Sequence, residues 1–208
     1  MDTDPEPGRF LALAPVPGTG TFGEVGATAG FEWDTRDGPV ATRGMHLTAR
    51  GTLYPAIWDV DRTFGELHGE AATYLTPRTS WGPTLALRAG GKKVWGDFPF
   101  FESAFIGGAS TVRGLHEQRY AGDAALYGNA ELRLKLGRYF VVLPGEYGVF
   151  GLADVGRVFL EGESSDTWHS GVGGGFWFAF LDRANTVSVA VVGGDDRTAL
   201  YIRAGFAY

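Results

Sequence analysis

Apolar and polar residues alternate with a period of two along most of this chain. In one run Ala27, Ala29, Phe31 and Trp33 share a face, and Thr28, Glu32, Asp34 and Arg36 share the other. Successive side chains of a strand point to opposite sides, so this spacing specifies a strand with one apolar and one polar face. Met45, Leu47, Ala49 and Leu53 alternate in the same way with His46, Thr48, Arg50 and Thr52. Further runs set Glu66, His68 and Glu70 against Leu67, Gly69 and Ala71, and Leu85, Leu87 and Ala89 against Thr84, Ala86 and Arg88. Asn129, Glu131, Arg133 and Lys135 oppose Ala130, Leu132, Leu134 and Leu136, and Val187, Val189 and Val191 oppose Ser188 and Ala190. Segments 147–158 and 170–181 alternate less cleanly among many glycines, and Leu200, Ile202, Ala204, Phe206 and Tyr208 close the chain opposite Tyr201, Arg203 and Gly205. No useful window has a 3.6-residue period, so the chain reads as all-β.

These are nine strands, with Phe10 to Val16 a tenth candidate. Their lengths approach the ~9–11 residues that cross a bilayer as a strand, and no apolar run approaches the ~18 a membrane helix needs. The polar face carries charges of both signs, able to pair inside a narrow lumen. The apolar face ends in Phe31, Trp33 and Tyr208, as an interfacial aromatic girdle would. The expectation is a transmembrane antiparallel up-and-down β-barrel of about 8–10 strands over residues 9–208, after a flexible segment 1–8. Segments 37–43, 76–80 and 181–184 read as short turns, and 96–125 and 160–167 as long loops; 137–146 is longer than a turn requires. The lipid bilayer is the expected partner, and Leu47, Leu85, Leu132, Leu134, Val189 and Ile202 the lipid face. Glycine at 33 of 208 residues, aromatics at 14% and charge at 20% exclude disordered, coiled-coil and collagen-like chains. With no cysteine there is no disulfide framework and no thiolate chemistry. A net charge of -6 weighs against nucleic acid as a partner. The acidic opening Met1 to Gly8 lacks the basic start and apolar middle of a secretory signal, which suits an unexported protein, a mature chain or a fragment.

Catalytic signals are weak. Gly18-Thr-Gly-Thr-Phe-Gly-Glu-Val25 has the spacing of a kinase glycine-rich loop, but the lysine, His-Arg-Asp and Asp-Phe-Gly partners are missing. His46, His68, His116 and His169 show no metal-ligand spacing. His169 and Ser170 could suggest a lipid- or peptide-cleaving barrel, yet adjacent strand residues point apart. The reading is therefore no enzyme, no metal and no cofactor.

One stretch carries a specific likeness. Gly107-Gly108 followed by Val112-Arg113-Gly114 resembles the sixth external loop of BamA-type outer-membrane assembly barrels, the bacterial surface antigen superfamily. Leu115 stands where that loop has an aromatic. Four more elements follow the family's order: Asp34-Thr-Arg-Asp37-Gly-Pro39 with Thr42-Arg-Gly44, Gly128-Asn-Ala-Glu-Leu-Arg133, Phe150-Gly-Leu-Ala-Asp154-Val-Gly156, and the closing strand with Ile202, Ala204, Phe206 and Tyr208. The family's proline before Thr42 is Ala41 here. The resemblance implies that the loop folds into the lumen with Arg113 locked to Glu131 and Asp154, and that the final strand serves as an assembly signal. It also implies a bacterial outer-membrane location and a role in inserting or translocating proteins, with client outer-membrane proteins or a second copy as partners. The family barrel has sixteen strands behind periplasmic modules, so the expectation is a shortened member, a fragment or half of a pair. Gly171, Gly173, Gly174 and Gly175 would soften the wall near a weak seam. A passive anchor or narrow pore is the alternative.

Overall fold

The computed structural model describes residues 2–3, 18, 20–79, 82–140, 143–163 and 166–208. The candidate strand 10–16 and the segment expected to be flexible lie outside them, apart from Asp2 and Thr3. A small pair, β1 (Asp2–Thr3) with β2 (Gly20–Thr21), precedes the wall. The wall is one antiparallel sheet of β3 (Ala27–Asp34), β4 (Gly44–Tyr54), β5 (Phe64–Leu75), β6 (Thr84–Trp95), β9 (Ala124–Phe140), β10 (Pro144–Phe159), β11 (His169–Phe180), β12 (Thr186–Gly194) and β13 (Thr198–Ala204). A hairpin of β7 (Ala104–Ile106) and β8 (Tyr120–Gly122) lies within the long loop between β6 and β9.

Each wall strand pairs with its neighbour in up-and-down order, and among the described residues β3 and β13 are unpaired edges. Over the described residues the sheet is barrel-like but not closed. Nine antiparallel strands give the first and last the same direction. Direct pairing of β3 with β13 would therefore be parallel, unlike every other ladder in the wall.

The alternation maps onto two faces. Thr52, Tyr74, Ala86, Asn129, Glu131, Arg133, Asp154, Trp177, Ser188 and Ala190 are buried inside. Phe31, Leu53, Leu67, Leu132, Val172, Phe176, Val191 and Ile202 are exposed outside. Exposed Trp33, Tyr147, Phe178 and Phe180 mark the rim with the short turns, and Trp58, Trp95 and Trp168 the rim with the long loops. Two aromatic belts around an apolar band are what a membrane barrel needs.

The end of the chain departs from the expected strand. Gly205 takes a left-handed φ of 82°, and β13 stops at Ala204. Phe206 and Tyr208 turn into the barrel instead of continuing the outer face. Phe206 packs edge-on to Phe150 and Trp177, at 5.3 and 6.2 Å between centroids. The Tyr208 hydroxyl donates to the Ala86 carbonyl at 3.1 Å. The physical reason is the missing ladder: β12 begins at Thr186, whose carbonyl already accepts the Gly205 N–H. Inside, the two rings instead meet the Arg133 guanidinium, which lies 3.9 Å from the Phe206 centroid. Tyr208 is thus not a girdle residue. The glycines of β11 also differ from expectation, since β11 lies third from the edge. A Cβ at Gly173 or Gly175 would collide with the β12 backbone, so they permit close approach between strands.

Candidate functional site

The loop between β6 and β9 folds into the barrel, and its glycines explain how. Gly107 and Gly108 have φ of 120° and 81°, which place the chain in a turn closed by Thr111. The Gly107 N–H donates to Thr111 Oγ1 at 2.8 Å, and that hydroxyl donates back to the Gly107 carbonyl at 3.1 Å. Val112 and Leu115 then point into an apolar cluster with Ala104, Ile106, Ala125 and Tyr127. Leu115 fills the aromatic's place and is fully buried. Gly114, at φ 89°, lies against the backbone of Gly194 and donates its N–H to the Tyr201 hydroxyl at 2.9 Å. A Cβ at Gly171 would collide with the Arg113 carbonyl oxygen, and one at Gly156 with Val112. These wall glycines form the groove that admits the loop.

Arg113 ends in that groove with its guanidinium between two carboxylates. Its Nη1 donates to Glu131 Oε1 at 2.6 Å. Its Nε and Nη2 fork onto Asp154 at 2.6 and 2.7 Å, and its backbone N–H adds a bond to Asp154 at 3.0 Å. The Arg113 side chain is 5% exposed and both carboxylates 0%. Such buried charges are tolerable only when every lone pair is satisfied. Asn129 supplies Asp154 with a further bond at 2.8 Å, and Arg133 donates twice to the second Glu131 oxygen, at 2.8 and 3.0 Å. Arg88 extends the network by donating to Asn129 at 2.9 Å and to the Ser110 carbonyl at 2.6 Å. The three residues singled out from sequence therefore come together. Arg88, Asn129 and Arg133 were legible only as polar-face residues, because their partners come from other strands.

The loop is also held at its outer end. His116 donates through its backbone N–H, at 3.1 Å, and through its ring to Asp196 in the turn between β12 and β13. Arg203 donates to the Ala109 carbonyl at 2.7 Å. The hydrogen bond from His116 holds the Asp196 carboxyl below its ordinary value. At the other rim the Asp34 and Asp37 motif builds the first turn. Arg36 forks onto Asp34, and Asp37 accepts from Thr42 and Arg43. Burial pushes the Asp37 carboxyl up, but these hydrogen bonds outweigh it and keep it low. That turn places Ala41 inside, against Tyr208. Loop and tail thus fill the interior from opposite ends. The space left among Ala41, Arg133, Trp177 and Phe206 is about 20 Å³, room for one water.

The other candidates behave differently. Ile202 and Ala204 lie in β13, and Phe206 and Tyr208 lie beyond it. His169 and Ser170 do not pair with each other; both approach Asp195, at 3.4 Å each. His46 meets Glu32 at 2.8 Å, and Glu32, Asp34 and His46 bring donor atoms within 4.8 Å of one another. Histidine spacing gave no hint of this, because the partners lie on the adjacent strand. Arg36 already forks onto Asp34.

An open, girdled antiparallel wall with an inward loop locked by a buried arginine defines a fold of the membrane β-barrel type. Residues 75–178 match the family described as haemolysin secretion/activation protein ShlB/FhaC/HecB, and this chain belongs to that family. The match spans β6 to β11 and includes Arg113, Glu131 and Asp154. The protein is accordingly an outer-membrane barrel of a bacterial secretion family. No curated protein matches the chain.

Proposed function

We propose that this barrel handles unfolded polypeptide at the outer membrane, inserting or translocating clients through the seam between β3 and β13. The observation that carries the reading is the odd strand count among the described residues. Both edges run the same way, so one strand running the opposite way between them completes an all-antiparallel wall. Unpaired backbone groups facing hydrocarbon cost several kcal/mol each, which supplies the driving force for that pairing. The filled interior favours this over a passive pore, because conduction would require loop 96–125 or the tail to move. No catalytic or cofactor chemistry enters the reading. The occupant is a client strand, with a second copy or the chain's own residues 10–16 as competing occupants.

Photo-crosslinkers at Phe31 in β3 and Ile202 in β13 test this, with mid-wall Leu132 as control. Client adducts confined to the two edges are expected. Edge adducts only to residues 10–16, or equal labelling at Leu132, would overturn the client reading.

A further inference from the structure

At the mouth on the short-turn rim a β-bulge gathers three cations around one carboxylate. Before the bulge the odd residues of β9, including Glu131, Arg133 and Lys135, face the interior. Tyr147 pairs with Gly137 and Gly148 with Lys135, so Leu136 is left without a partner and the phase of β9 shifts by one. Arg138, which the original phase would aim at the membrane, now shares the inward face with Glu146 at the rim. Tyr139 correspondingly moves outside, 6.5 Å from the Tyr147 ring and 6.3 Å from the Phe180 ring. Bulges re-aim side chains in this way at the rims of barrels.

Lys135, Arg138 and Arg183 converge on the single carboxylate of Glu146, at 3.3, 3.2 and 3.6 Å. The two other acids that line the adjoining cavities, Asp37 and Asp182, stay charged but are already hydrogen-bonded within their own turns. Asp37 accepts from Thr42 and Arg43, and Asp182 accepts from the Ala184 N–H at 2.8 Å and from Asn185 at 3.3 Å. Three cations therefore share one carboxylate beside two cavities, of about 520 Å³ at Lys135 and Arg183 and about 410 Å³ at Arg138 and Arg183. The Arg138 side chain is 78% exposed, so its remaining donors reach the opening. A guanidinium offers five donors and recognises carboxylates in a fork.

We propose that this mouth is a docking site for an acidic segment of an extended polypeptide, with Arg138 and Arg183 as carboxylate receptors and Glu146 as the built-in occupant that a client carboxylate displaces. The inference rests on the polypeptide-handling reading above and names the chemistry of the segment that docks. The inward phase of Arg138 favours a peptide at the lumen mouth over an anionic lipid headgroup, which would meet the outer face.

The test uses the full chain folded in detergent micelles and a fluorescein-labelled deca-glutamate peptide, read by anisotropy at low and high salt. Deca-lysine and vesicles of anionic phospholipid are the comparison probes. Salt-sensitive binding of deca-glutamate is expected, weakened at least tenfold in Arg138→Glu/Arg183→Glu, a loss of about 1.4 kcal/mol or more. Glu146→Gln is expected to bind several-fold tighter, a gain that misfolding cannot mimic. No deca-glutamate binding, binding unchanged in both variants, or stronger dependence of vesicle binding than of peptide binding on these arginines would each overturn the proposal. Edge crosslinks to clients that persist without peptide binding would remove only this mouth site. Peptide binding in a barrel that yields no client crosslinks would remove only the seam reading.

Discussion

Replacing Arg113 with alanine removes three charge-assisted hydrogen bonds from a site where the partner carboxylates are wholly buried. Breaking a buried ion pair costs about 3–5 kcal/mol, because the surviving charge is left uncompensated. Here compensation is partial. Asp154 keeps its bonds from Asn129 and from the backbone N–H at position 113, and Glu131 keeps both bonds from Arg133. The expected cost is therefore at the lower end, about 3 kcal/mol. For a chain of this size that corresponds to a fall of about 6–12 °C in the unfolding midpoint. The assay is the temperature at which the compact band converts to the extended band on a semi-native gel, with limited proteolysis of residues 104–122 alongside. Arg113→Lys should recover only part of the loss, since one ammonium cannot fork onto Asp154 and also reach Glu131. An Arg113→Ala protein with unchanged midpoint and a protease-resistant loop would refute the lock.

The groove predicts that Gly171→Ala also expels the loop, costing about 1–3 kcal/mol by overpacking against the Arg113 carbonyl; Gly51→Ala, whose Cβ would meet its nearest atom at 3.7 Å, should leave loop protection unchanged. Leu132→Arg on the lipid face should cost about 2–4 kcal/mol in bilayer folding assays, and a neutral result would mean this face is not in hydrocarbon. The Asp196 latch has a defined sign. Its depressed pKa contributes stability that is complete above the unfolded value of 3.8 and is lost as pH falls through the lower folded value. Pepsin cleavage of loop 104–122 should therefore rise toward low pH, and the rise should be smaller in Asp196→Asn, after correction for pepsin's own activity.

Period-two alternation placed seven wall strands clearly and the glycine-rich β10 and β11 less cleanly, because it is set locally by which side chains meet lipid and which meet the interior. The lock was legible through the family resemblance of the Arg113 loop, and two local features agree with it: Glu131 lies on the polar face of its strand, and Asp154 stands alone among Gly, Ala and Val. What alternation could not show is where the phase breaks. At the bulge beside Leu136 an extra residue exchanges the roles of Arg138 and Tyr139, and no residue type announces it. At Gly205 the alternation runs on through Phe206 and Tyr208, yet the neighbouring strand has ended, so the aromatics turn inside and are half-buried. The β11 glycines look like a soft wall in sequence; their neighbours show that Gly171 makes room for the loop and that Gly173 and Gly175 make room for β12.

The seam is tested most directly by disulfide mapping in the folded barrel, since the chain has no cysteine of its own. One cysteine is placed at Gly30 in β3 and another in turn at Leu200, Tyr201 and Ile202 in β13, and the protein is oxidised in lipid. Paired strands lie about 4.8 Å apart and a one-strand gap spans about 10 Å. Disulfides need Cα atoms closer than about 7 Å. The account predicts no bond across the seam at any of the three positions, and ready bonding from either edge to a cysteine in an added client strand. Efficient disulfide formation directly between β3 and β13 would show a closed wall and contradict it.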